Sequence, residues 1–117
     1  MSIRRIRVGP RMSQAVVHGE TVYLAGQVAA QAAGGNVTEQ TREILATIDA
    51  LLAEAGTDKT RLLSTTIYLA DMATFAEMNA VWETWVAPGA TPARATVEAR
   101  LAAPSYTVEI VCIAAKS

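Results

Sequence analysis

Apolar positions recur with two different spacings along this chain, and the changes of spacing mark its elements. Ala15–His18 and Thr21–Gln27 are short β-rich runs joined at His18-Gly19-Glu20, which predicts a hairpin. In the second run Val22, Leu24, Gly26 and Val28 alternate with Thr21, Tyr23, Ala25 and Gln27, the two-residue period of a strand. Gly26 has no side chain to pack there, so it predicts a bulge or a backbone that must approach something closely. After the small-residue loop Gln31–Gly35 the spacing lengthens. Ile44, Leu45, Ile48, Leu51, Leu52 and Ala55 form one helical face, with Asn36 and Glu39 as a capping pair and Gly56 as the stop.

Leu63–Ala70, rich in Thr, Ile and Tyr, predicts another strand. Asp71 can cap a second helix carrying Phe75, Met78, Trp82, Trp85 and Val86 on one side. Asn79 lies on the margin of that face and reads as a satisfied polar group fixing helix against sheet. Pro88-Gly89 ends this helix, and strands follow at Arg94–Leu101 and Tyr106–Ala115. At the N-terminus Ile3, Ile6 and Val8 interleave with Arg4, Arg5 and Arg7, as in a solvated edge strand whose charges resist unwanted pairing. No repeat or linker interrupts residues 1–117, so the order predicts one α+β domain with two helices on one sheet face.

The last strand makes this picture incomplete. Tyr106, Val108, Ile110, Cys112 and Ala114 fall on one face, and Val111, Ile113 and Ala115 on the other with Glu109. A strand apolar on both faces needs cover on both. Two helices supply one cover and no segment remains for the second. A homo-oligomer that buries the open sheet faces is therefore expected.

Composition narrows the functions. The chain has 117 residues, 51% of them hydrophobic and only two Trp, three Tyr and one Phe. Its core is thus built from small aliphatic side chains. A net charge of −1 argues against a nucleic-acid surface, even with Arg11 added to the N-terminal basic cluster. No apolar run approaches the roughly 20 residues of a membrane helix, and no signal-peptide pattern opens the chain, so a cytoplasmic protein is expected. One histidine, His18, and one cysteine, Cys112, make a metal site or an internal disulfide unexpected. Cys112, in an apolar run, is expected in the core.

Two charged residues remain as candidate chemistry. Arg94, Thr96, Glu98 and Arg100 share one face of a strand, which from spacing alone reads as a solvated face with surface ion pairs rather than a site. Glu109 is harder to dismiss, because a carboxylate in an apolar row needs a partner: Arg94, or a water and a ligand. A guanidinium can grip a carboxylate through two parallel hydrogen bonds. A nearby Glu can hold a water and shuttle its proton, and backbone N–H groups around Gly26 and Thr96 could add donors. That suffices to add water to an imine. It does not suffice for acyl transfer, since no nucleophile–base pair or G-x-S-x-G turn is present, and no phosphate loop or dinucleotide fingerprint occurs.

Pro92-Ala93-Arg94-Ala95-Thr96-Val97 followed by Val108-Glu109-Ile110 resembles the C-terminal signature of the Rid family, the reactive-intermediate deaminases also called the YjgF family. Tyr23-Leu24-Ala25-Gly26-Gln27, Asn79 and the strand around Thr66–Leu69 also fit, so the resemblance spans nearly the whole chain. Leu69-Ala70-Asp71-Met72 through Met78-Asn79-Ala80-Val81-Trp82 is similar to the YoaB-type branch rather than to the RidA branch. The resemblance implies a chorismate-mutase-like fold and a homotrimer with a central barrel and three ligand sites at subunit interfaces. It implies hydrolysis of enamine and 2-imino acids such as 2-aminoacrylate to 2-keto acids and ammonia, without a cofactor. Arg94 would hold the substrate carboxylate, Glu109 would position the water, and the Gly26 backbone would line the pocket. The RidA branch has a tyrosine at Val16, a serine at Ala25 and a cysteine at Thr96. These departures imply a more apolar pocket, with a bulkier or less polar substrate or slower turnover. They also leave open a non-catalytic trimer that binds small carboxylates as a sensor or regulator.

Overall fold

The computed structural model describes all residues, Met1–Ser117. Six strands form one mixed sheet: β1 (Ile3–Val8), β2 (Ser13–His18), β3 (Thr21–Leu24), β4 (Leu62–Leu69), β5 (Ala93–Glu98) and β6 (Val108–Ala115). Their spatial order is β1-β2-β3-β6-β4-β5, and every neighbouring pair is antiparallel except β4 with β5. The parallel pair is joined through the helix α2 (Phe75–Trp85), as a parallel connection requires a crossover. The longer helix α1 (Val37–Glu54) links β3 to β4. No helix is long and apolar enough to cross a membrane.

The helix α1 begins and ends where its residues dictate. Asn36 has an extended backbone, and its Oδ1 accepts the Glu39 N–H at 2.9 Å, satisfying one of the free donors of the first turn. Gly56 follows the helix at φ +83°, a left-handed conformation that glycine tolerates best. Asp71 does not cap the second helix directly. Its Oδ1 accepts the Ala73 N–H and starts a short 3-10 turn, Met72–Thr74, which leads into α2.

Both helices lie on one sheet face. Ile44, Ile48, Leu51 and Leu52 of α1, Met78 of α2, Ile67 and Leu69 of β4, and Val108, Ile110, Cys112 and Ala114 of β6 are fully buried between helices and sheet. The alternate residues of β6, from Glu109 through Val111 and Ile113 to Ala115, are only half-buried. Tyr23 of β3 remains 46% exposed on the same side. One face of the sheet is therefore covered within the chain and the other is not, as the sequence of the last strand predicts.

Several strand limits differ from the sequence pattern, and three of them bear on the site. β3 stops at Leu24, because the ladder slips: Tyr23 pairs with Ile113 but Gln27 bridges Ile110, four positions on one side against three on the other. That extra residue is the bulge that Gly26 predicts. β5 stops at Glu98 rather than Leu101, and β6 starts at Val108 rather than Tyr106. The connection between them is pinned elsewhere. Gln40, fully buried on α1, donates to the carbonyls of Gly35 (3.0 Å) and Ser105 (2.8 Å) and accepts the Thr107 N–H (2.9 Å). These bonds tie Ser105 and Thr107 to α1 and satisfy a glutamine that would be costly to bury unpaired.

Burial pushes the Cys112 thiol up to about 11, only partly offset by a 3.4 Å hydrogen bond with Thr65. A folded thiol that keeps its proton more tightly than an unfolded one, near 8.5, leaves stability unchanged at neutral pH and lowers it as pH rises past about 8.5. At pH 8 a thiol-alkylating reagent should therefore modify the native protein about 100-fold more slowly than the denatured chain, read by mass spectrometry. Equal rates in the two states would contradict this burial.

Candidate functional site

The candidate residues fall into two groups, placed on opposite faces of the sheet. Arg94 and Thr96 lie on β5, in register with Thr65 and Ile67, whose side chains point into the helix-covered face. Glu109 lies on β6 opposite Tyr68, on the uncovered face, and β4 stands between β5 and β6. A single protomer thus does not bring Arg94 and Glu109 together. The only ion pair in the chain joins Arg7 to Glu54.

Arg94 is half-buried at the sheet edge and is shaped by α2. Its Nη1 donates to Asn79 Oδ1 at 2.8 Å. Its Cζ lies 5.4 Å from the centroid of the Trp82 ring and 5.9 Å from that of Phe75, within cation–π range of both. Desolvation lowers the pKa of the guanidinium, and the charge of Glu83 acts against that fall without forming a pair. Phe75, Asn79 and Trp82 are spaced four and three residues apart, so one helix face presents all three.

Thr96 is two residues further along the same strand face, and its Oγ1 is buried without a hydrogen-bond partner. β5 is an edge strand, bonded only to β4. Since Ala99 N–H bonds Leu69 O, the alternation of a parallel ladder directs the N–H groups of Arg94 and Thr96 away from β4, to the open edge. This edge therefore offers a held cation, an unpartnered hydroxyl and outward backbone donors.

The second group surrounds Glu109. Its carboxylate lies directly over Gly26: a Cβ added there would stand 2.2 Å from Glu109 Oε2 and 3.3 Å from a Val111 methyl. Gly26 does not need a positive φ; what it supplies is room for the carboxylate. On either side of it the Ala25 N–H bonds Gln14 O and the Gln27 N–H bonds Ile110 O, both at 2.9 Å, while the Gly26 N–H has no protein acceptor. Val16, opposite Tyr23 on β2, lies on the same uncovered side but with β3 between it and β6. Val16 and Ala25 bring no polar side-chain atom.

A cavity of about 290 Å³ opens beside Glu109, lined by Tyr68, Arg100, Leu101 and Val111 among others. Arg100 belongs here because β5 ends before it. The sequence alternation groups Arg100 with Arg94, whereas the chain turns and carries it to the cavity of Glu109. A larger cavity, about 780 Å³, lies along the Ala99–Pro104 segment between Glu98 and Tyr106. The sequence pattern does not mark Tyr68, nor Phe75 and Trp82 as partners of Arg94. Their signal is indirect: aromatic residues on a helix face that also holds an asparagine. No group of three or more His, Cys, Asp or Glu is arranged to hold a metal ion.

The sequence profile described as Endoribonuclease L-PSP matches residues 3–116. A RutC family protein of Haemophilus influenzae is 46% identical over 114 residues, 97% of this chain and 98% of the relative. The chain belongs to the Rid family. Within it, RutC family protein YoaB of Escherichia coli is 43% identical over 115 residues, 98% of this chain and 99% of the relative, in agreement with the YoaB-type branch. A crystal structure of a YjgF family member from Neisseria meningitidis matches this Rid chain with a TM-score of 0.96 at 49% identity, covering 100% of this chain and 97% of the other. The Rid family protein YyfA of Yersinia pestis matches with a TM-score of 0.82 at 32% identity, covering 92% and 89%. The mixed six-stranded sheet with two helices is thus the fold of YjgF structures.

Gly26→Ala tests the contact that shapes the Glu109 group. The added methyl must turn the carboxylate aside, which a flexible side chain can do, so the loss of stability should be about 1 kcal/mol in denaturant unfolding. Adding Glu109→Ala should recover most of that loss, because residues in direct contact couple in a double-mutant cycle. Additive losses would place the origin of the strain elsewhere.

Proposed function

We propose that this Rid protein hydrolyses reactive 2-imino and enamine acids, such as 2-aminoacrylate, to 2-keto acids and ammonia, as a cofactor-independent deaminase in the cytoplasm. The observation that carries the reading is an arginine held at the sheet edge by Asn79 and two aromatic rings with no acid paired to it, and a carboxylate seated over Gly26 on the uncovered face. The reading places them together at the interfaces of a homotrimer. There the Arg94 edge of one subunit meets the uncovered face bearing Glu109 of the next, which would also cover the half-buried apolar residues of β6.

At such an interface Arg94 binds the substrate carboxylate through two parallel hydrogen bonds and fixes the plane of the adjoining C=N bond. Glu109 holds a water over that carbon and takes its proton as the new C–O bond forms and the C=N electron pair moves to nitrogen. The protonated carboxyl then returns the proton to the nitrogen of the tetrahedral intermediate. Glu109, again a carboxylate, carries the hydroxyl proton to the amine, the C–N bond breaks as C=O forms, and the products are a 2-keto acid and NH₃, with no redox change. An enamine enters the same path after tautomerising to the imine. Gly26 N–H, Thr96 N–H and Thr96 Oγ1 are donors available to the polar atoms of the intermediate. With Val16 and Ala25 on the wall, the side-chain end of the pocket favours apolar substrates.

RNA cleavage, which the family's description names, has less support here. The chain has a single histidine and a net charge of −1. The second reading is a trimer that binds small carboxylates without turnover. It is favoured by one observation, that Val16 and Ala25 supply no polar side-chain atom.

Imines generated in situ by an amino-acid oxidase separate these readings when keto-acid release is followed. The deaminase reading expects acceleration over buffer, loss of at least about 100-fold in Arg94→Ala, and a Glu109→Gln variant that still binds keto acids but does not turn over. Binding by wild type without any acceleration would favour the regulator. Subunit mixing tests the shared interface: Arg94→Ala and Glu109→Gln proteins, each inactive, should regain about a quarter of wild-type activity when refolded together at equal amounts, since each mixed trimer keeps one intact pair. No recovery in mixed trimers would refute the two-subunit site.

A further inference from the structure

Most arginines on protein surfaces are paired with acids or left free in water. Arg94 is neither. Its one side-chain hydrogen bond goes to a neutral amide, Asn79 Oδ1, and the guanidinium lies over two aromatic rings. No carboxylate comes within ion-pair distance. A neutral acceptor at this place takes one of the five N–H donors but leaves the positive charge uncompensated. The two rings occupy part of the space around the group, so an incoming anion meets the N–H donors that Asn79 leaves free.

We propose that Asn79 is a positioning residue for anion binding: with Trp82 and Phe75 it fixes the orientation of Arg94 while keeping its charge free for a planar carboxylate. The inference rests on the reading of Arg94 as the substrate anchor and goes beyond it in assigning the role of the helix residues behind it. Asn79 is also the satisfied polar group tying helix to sheet that the sequence predicts, and its partner on the sheet is Arg94 itself. Burial, which makes the charged form of Arg94 less favourable, acts in the same direction. A partly desolvated cation gains more from an anion than one in open water does.

Replacing the neutral acceptor by an anionic one is the decisive change. In Asn79→Asp the geometry is preserved, the carboxylate pairs with Arg94, and ligand must compete with it. Titration calorimetry with pyruvate as the probe should show at least about 30-fold weaker binding than wild type, with thermal stability equal or higher. In Asn79→Ala the guanidinium is free but less oriented. Binding should weaken about tenfold, and in the imine assay KM should rise by a similar factor while kcat stays within about threefold.

A folded Asn79→Asp protein that binds pyruvate as wild type does would overturn the proposal. So would an Asn79→Ala protein that loses stability but keeps its pyruvate affinity, the signature of a purely structural role. If Asn79→Asp does not assemble, the Asn79→Ala titration decides by the same criteria. Arg94→Ala separates this idea from the one beneath it. Unaltered pyruvate binding in that variant would reject the anchor itself, whereas lost binding there with normal binding in both Asn79 variants would reject only the positioning role.

Discussion

Six strands and two helices leave one face of the sheet without a cover inside the chain, and much of the molecule's arrangement follows from that shortage. β6 lies in the middle of the sheet with Val108, Ile110, Cys112 and Ala114 sealed under the helices. Its other residues, Glu109, Val111, Ile113 and Ala115, remain half-exposed. An apolar strip of that kind is stabilised by burial, at about 25 cal/mol per Å² removed from water. The same strip carries the one carboxylate that has an unusual setting, pressed against a glycine where no other residue leaves enough room. In the proposed trimer, covering the strip and completing the site are one event.

The opposite arrangement holds at the edge of β5. Here α2 supplies Phe75, Asn79 and Trp82 from a single face, and they position one arginine. The sheet supplies a rigid strand and outward-facing backbone donors. Rings and a neutral amide orient the charge without neutralising it, which an acid could not do. The two groups are chemically complementary, a cation and a carboxylate, yet the sheet keeps them on different faces. That separation prevents an internal Arg94–Glu109 pair, which would cancel both charges in the free chain.

Much of this was legible in the residues. The helices, the hairpin, the bulge at Gly26 and the uncovered face of the last strand follow from periodicity, because apolar spacing of two or 3.6 residues decides which side is buried. The strand ends were not legible. β5 stops at Glu98 and β6 begins at Val108 because Gln40, some 65 residues away in sequence, anchors the connecting segment. This long-range contact has no local pattern. Past the end of β5 the strand alternation no longer holds, and Arg100 lines the Glu109 cavity. The sidedness of Arg94 and Glu109 was missed for a related reason. Alternation tells which residues of one strand share a face, but the relative phase of two strands is set by their pairing through β4.

The central claim is that substrate binds between Arg94 of one subunit and Glu109 of another. A crystal structure of the assembled protein with a bound 2-keto acid tests it most directly. The account predicts the ligand carboxylate on the free edge of the Arg94 guanidinium, with Asn79 behind it. The ligand's C2 should face a water held by Glu109 of the adjoining subunit. A keto acid bound away from Arg94, or one held by Arg94 with no Glu109 from any subunit beside it, would contradict the account.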